Sequence, residues 1–111
     1  MDEKERQLIG RLLSVDFSGR DQIIQQLEDA DVECLDCNGS ISIFVKSVMI
    51  ADQVKYVVPT EGEYEDDDGV TVHILLFVEH GKVTVLEIYR EDNAAVHQWP
   101  SQEAVRVFAP D

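Results

Sequence analysis

Basic residues are scarce in this chain. Nine lysines and arginines stand against twenty-three aspartates and glutamates over 111 residues, a formal net charge of −14 at pH 7. The nine are scattered and form no patch that could neutralise phosphates, which argues against nucleic acid as a partner and leaves anionic membranes repelled. Long apolar runs are missing too. The longest strongly apolar stretch, residues 74–78, is far too short to cross a bilayer. The N-terminus MDEKERQ is polar and no apolar h-region follows it, so no signal peptide is expected. Two cysteines without an export signal point to a reducing compartment, and the expected location is cytoplasmic. Gly39, Gly62, Gly69 and Gly81 read as isolated turn glycines rather than a phosphate-binding loop, and G-x-S-x-G is absent. Carboxylates are so plentiful that no chosen pair stands out as a hydrolytic dyad. His73 alternates onto a strand face with Phe77 and reads as a core or edge histidine, not a general base. No catalytic residues are assigned, no cofactor is expected, and the chain reads as a non-enzyme.

What is abundant is acid, and it is clustered. Asp21, Glu28, Asp29, Asp31, Glu33 and Asp36 occur with no base among them, and so do Glu61, Glu63, Glu65, Asp66, Asp67 and Asp68. Such clustering predicts one or two negative patches that attract basic proteins or cations over long range. The alternative is that charge keeps a small protein soluble. A hydrophobic content of 44% is ordinary for a globular protein, so the charge does not signal disorder.

One α+β domain over residues 1–111 is expected, with two N-terminal helices packed on a mostly antiparallel sheet of about four or five strands and a short C-terminal helix. Leu8, Ile9, Leu12 and Leu13 make one face of a helix over 3–13, with acids at its positive end and Arg11 near its other end. A second helix over about 20–29 has Ser18 or Asp21 as cap and turns Ile23, Ile24 and Leu27 inward. Residues 32–35 and 41–45 read as short strands around an Asn38-Gly39 turn, 48–51 is ambiguous, and 54–58 reads as a strand ending at Pro59. The acidic stretch beyond it reads as a loop or a splayed strand connection. Residues 70–79 form the clearest element, a central strand covered on two sides. His80-Gly81 turns the chain, and 82–89 returns with Leu86 and Ile88 opposite Val83 and Val85. Trp99-Pro100 precedes a short helix capped by Ser101 and anchored by Val105 and Phe108.

Two motifs invite a metal. Cys34-Leu35-Asp36-Cys37 could supply two thiolates, but a closed zinc site needs four ligands and no second C-x-x-C exists, so His73, His80 or His97 would have to complete it. Glu65-Asp66-Asp67-Asp68-Gly69 resembles a calcium loop. With Gly69 in sixth position, however, the first and twelfth places fall on Tyr64 and Leu75, neither a proper ligand. No metal ligands are assigned.

The segments LLSVDFSGRD with QL (residues 12–21 and 26–27), VECLDC (32–37), DDDGVTVHILLFVEHGKVTVLEIYRED (66–92) and Trp99-Pro100 resemble a family of short acidic bacterial proteins of uncharacterised function. Its members often carry a denser cysteine and glycine cluster where this chain has Cys34 and Cys37, a departure that weakens a metal site. The family implies a fold and brings no catalytic residues. The small acidic format is also similar to bacterial immunity proteins, such as those of contact-dependent inhibition systems. The leading expectation is therefore an acidic protein-binding module, an immunity protein that neutralises a basic, nuclease-type toxin domain by occluding its active site. Glu63, Glu65, Asp66, Asp67 and Asp68 are the expected contact patch, with Asp29, Asp31 and Asp36 as an alternative. Tyr64 and Trp99 are aromatic anchors, as is Tyr56, for which partial core burial is the stronger reading. The competing expectation is a structural or regulatory module, a monomer or a homodimer formed through a free sheet edge.

Overall fold

The structure, a computed structural model, describes residues 1–110. Asp2 opens the first helix, α1 (Glu3–Leu12). Its carboxylate accepts the Glu5 N–H (2.8 Å) while the Glu5 carboxylate accepts the Asp2 N–H (2.9 Å). This reciprocal cap satisfies two donors that a helix cannot satisfy itself. Leu8, Ile9 and Leu12 are buried as their spacing predicts. At the far end the buried Thr60 hydroxyl donates to the Leu12 carbonyl (2.7 Å), and Arg11 donates from Nε and Nη2 to the Val105 carbonyl (3.1 and 2.9 Å).

The second helix, α2 (Arg20–Leu27), follows Gly19, which sits at φ 90° and replaces the expected Ser18 or Asp21 cap. The helix ends two residues short of the expected 29. It buries Ile23, Gln26 and Leu27, whereas Ile24, about 100° further round the helix from Ile23, points outward rather than inward. Gln26 is the fastener between layers. Its Nε2 donates to the carbonyls of Met49 (3.1 Å) and Gly81 (2.7 Å), and its Oε1 accepts the Val83 N–H (3.1 Å), so every polar atom of a buried amide is satisfied.

The sheet has six strands where four or five were expected. These are β1 (Asp31–Cys34), β2 (Ile41–Phe44), β3 (Thr60–Glu65), β4 (Thr71–Glu79), β5 (Lys82–Arg90) and β6 (Arg106–Phe108), all antiparallel, in the order β1-β2-β5-β4-β3-β6. The expected strand over 54–58 does not form; Val57 only accepts the Val78 N–H (2.7 Å). Pro59 has no N–H to give a ladder, and pairing starts at Thr60, inside the stretch read as a loop. Gly62 is accordingly not a turn glycine. It lies in β3 under α1, where an added Cβ would come within 3.0 Å of Leu12 Cδ2 and 2.8 Å of Val105 Cγ1. The expected C-terminal helix is only a 3₁₀ turn, Gln102–Ala104, without a side-chain cap from Ser101. Val105 is buried beside it, but the chain then extends to pair with the free edge of β3, and Phe108 lands opposite Glu61 on the outward face, exposed.

The β4–β5 hairpin turns through His80 and Gly81 at φ 52° and 76°, the pair of positive angles a two-residue turn needs. Asn38-Gly39 does not make such a turn. The β1–β2 connection is longer, only Gly39 has positive φ, and Asp36 Oδ1 accepts the N–H groups of Asn38 (2.9 Å) and Ser40 (3.1 Å). A β-bulge sets Phe77 opposite Val85 and Val78 opposite Val83, making Thr84 the extra residue. The bulge moves Val83 onto the same face as Leu86 and Ile88, against the simple alternation.

Both helices pack on that face, over Ile41, Ile43, Tyr64, Val72, Ile74, Leu76, Val78, Val83, Leu86 and Ile88, all buried. Burying an aliphatic side chain of this kind contributes about 1.5–3 kcal/mol. The other face of β4, with Thr71, His73, Leu75 and Phe77, is half-buried rather than covered by a second layer. Among the described residues no helix is long and apolar enough to cross a membrane.

Candidate functional site

Arg90 ends β5 on the core face and is 3% exposed. A buried guanidinium needs acceptors for five N–H bonds, and three aspartates supply them all. Nε and Nη2 donate to the two oxygens of Asp92 (3.0 and 2.8 Å). Nη1 and Nη2 donate to the two oxygens of Asp68 (3.2 and 3.0 Å), and Nη1 also reaches Asp66 Oδ2 (3.0 Å). These carboxylates hold the guanidinium well above its ordinary pKa, Asp92 contributing most.

Asp66 is also buried. Besides Arg90, its carboxylate accepts the backbone N–H groups of Asp67 (3.1 Å), His97 (2.8 Å) and Gln98 (3.1 Å). Burial pushes its pKa up, but these bonds outweigh burial and leave it below the ordinary value. Asp68 is held down mainly by Arg90, and Asp92, also by Arg90, falls to about 2. His97 Nδ1 lies 2.6 Å from Asp67 Oδ1, a contact that raises the imidazole pKa against burial and the Arg90 charge. Tyr64 donates to the Gln98 carbonyl (2.7 Å), and burial followed by the Asp66 charge pushes its phenol up to about 12. Asn38 secures the same segment from the far side: its Oδ1 accepts the Val96 N–H (2.9 Å) and its Nδ2 donates to the Ile88 carbonyl (3.3 Å). Trp99 then closes over Gly39, where a Cβ would lie 2.6 Å from the indole Cζ3.

This corner could hold a cation by geometry, since one ligand atom each from Asp66, Asp67, Asp68 and His97 falls within 4.8 Å of the others. The positive charge beside those acids is the Arg90 guanidinium, and the aspartate loop, which is the β3–β4 turn, is clamped to residues 92–98.

The uncovered face of the sheet differs. Strand register builds cross-strand rows on it: Phe77, Val85, Ser42 and Glu33; then Phe108, Glu61, Leu75 and Glu87; then Arg106, Glu63, His73 and Tyr89. The His73 and Tyr89 rings stack with centroids 5.1 Å apart, and Arg106 Nη2 binds Glu63 (3.0 Å) and Glu65 (2.6 Å), lowering the Glu65 pKa. Phe44 and Phe108, 50% and 44% exposed, extend the apolar area toward both edges. Among the described residues Glu33, Glu61 and Glu87 form no ion pair.

The expected contact residues are therefore divided. Glu63 and Glu65 lie on the open face, tied to Arg106. Asp66 and Tyr64 are buried and present no surface to a partner in this conformation. Asp67 and Asp68 are exposed but engaged by His97 and Arg90. Trp99 is half-buried over Gly39, while Tyr56 is 44% exposed rather than partly in the core. Asp29 is exposed after α2, Asp36 is occupied by its own loop, and Asp31 opens β1 beside Lys46 (3.3 Å). Cys34 and Cys37 are both exposed free thiols. Phe44, Leu75, Phe77, Val85 and Glu87 were missed as a surface, and Glu61 was read only as a member of the acidic cluster. The available signal was a central strand apolar on both faces in a chain with only two short helices to cover it.

No curated protein matches the chain, and no solved structure does. The helices, the first five strands and the clamped segment up to Pro100 lie within residues 1–100, which match the family model described as a domain of unknown function, DUF6984, and the chain belongs to that family.

Proposed function

We propose that this chain is an acidic protein-binding module whose partner is a basic protein domain, and that the partner is a nuclease-type toxin domain held inactive by occlusion of its phosphate-binding site. The reading rests on one observation: the open sheet face sets Glu33, Glu61 and Glu87, which form no ion pair among the described residues, beside apolar side chains. A nuclease site is positively charged because it holds phosphates, so an acidic partner is steered to it and competes with substrate. Affinity capture from lysate of the source cells at low and high salt, with mass spectrometry, tests it. The expected result is one stoichiometric basic protein retained at low salt, released as the screening length shortens, and active as a nuclease only when free. Capture of no basic protein, or of one whose activity the chain leaves unchanged, sinks the reading.

A further inference from the structure

We infer that the partner docks on the open face of the sheet, and that it presents a basic amphipathic surface, an apolar ridge flanked by lysines or arginines. The inference rests on the reading above and adds where the contact is made. Leu75 lies between Glu61 on β3 and Glu87 on β5 in a single cross-strand row. With neighbouring strands about 4.8 Å apart, the two acids stand about 10 Å apart across it. A ridge seated over Leu75, Phe77 and Val85 would bring flanking cations down onto these acids and onto Glu33. A second copy of the chain fits poorly, because a two-fold contact sets each patch against itself and faces Glu33, Glu61 and Glu87 with their own like charges. The aspartate loop is a weaker site. Its acids are engaged by Arg90 and His97, so a partner would have to compete for charge the chain already uses.

A synthetic 18-residue amphipathic helix of leucine and lysine serves as the probe, with oligolysine as a charge-only control, followed by amide chemical shifts of the ¹⁵N-labelled chain. Shifts confined to the open-face positions of β1 to β5, around Glu33, Glu61, Leu75, Phe77, Val85 and Glu87, are expected with the amphipathic peptide, and weak or dispersed ones with oligolysine. Glu61→Lys combined with Glu87→Lys should weaken peptide binding at least tenfold. Glu28→Lys combined with Glu103→Lys, an equal change of charge at exposed positions beyond the open face, should alter it less than twofold. Phe77→Ser supplies an independent apolar test, with its fold checked by the same spectra. Shifts centred on residues 66–68, equal weakening by both double variants, or no binding would overturn the inference. The same variants applied to any captured basic protein separate the two proposals. A basic partner that binds all of them alike leaves the function standing and removes the surface. A chain that dimerises through Phe77 and captures no basic protein removes both.

Discussion

The Arg90 corner and the open sheet face are built from the same residue types to opposite ends. In the corner, Asp66, Asp68 and Asp92 converge on one cation until its five N–H groups are used, and the surplus acceptors of Asp66 take backbone N–H groups. On the open face, Glu33, Glu61 and Glu87 stand apart from bases, with Leu75, Phe77 and Val85 between them. Acid content alone therefore does not locate a binding surface. A carboxylate already saturated inside the protein contributes to the fold and to the overall field, but its bonds are committed. One left unpaired beside apolar area can still exchange water for a partner's cation.

The comparison is most severely tested by removing the cation. Arg90→Met leaves buried Asp66 without its counter-ion, and the melting temperature should fall by roughly 15 °C or more. A loss under 5 °C by circular dichroism would mean that the corner is neutralised some other way. Next comes a pair of adjacent leucines on opposite faces. Leu76→Ala, in the core, should cost about 3 kcal/mol in urea unfolding. Leu75→Ala, on the half-buried face, should cost about 1 kcal/mol. Equal losses would show that the second face is as well packed as the first.

The smallest effect is the pH response of the corner. Asp92 is held at about 2 against an ordinary 3.8, so its contribution is fully present above pH 3.8 and is lost as pH falls toward 2. Asp92→Asn should flatten that acid limb. The His97 pKa is raised above 6.5, so its contribution is present below pH 6.5 and disappears as pH rises through the folded value. His97→Gln should remove that decline. Stability curves of either variant parallel to the parent's would dissociate these groups from the clamp.

Much of the frame was legible in the chain. The first helix was written in its apolar spacing and in Asp2 and Glu5, and the central hairpin in its long alternation and His80-Gly81. β3 was hidden because glutamate and glycine are poor strand formers. Its pattern of Thr60, Gly62 and Tyr64 inward emerges only once β4 supplies a ladder. β6 has three residues and pairs with a segment more than forty positions earlier, beyond the reach of any local signal. The bulge at Thr84 defeated strict alternation in β5. The corner was missed because the run of aspartates was read as a surface patch for a partner. A clue was nevertheless present: Arg90 continues the inward series of Leu86 and Ile88, and a base on a core face requires acids to meet it.

The two outer strands have a consequence for edge-to-edge association. β1 is four residues long and carries Asp31 and Glu33; β6 is three residues long, and its Arg106 is already bound to Glu63 and Glu65. An incoming strand at either side finds few free backbone groups and meets charged side chains first, which discourages stacking into longer ribbons or fibrils. A sheet trimmed in this way can keep phenylalanine, leucine and valine facing water without polymerising, and it directs encounters onto its broad side.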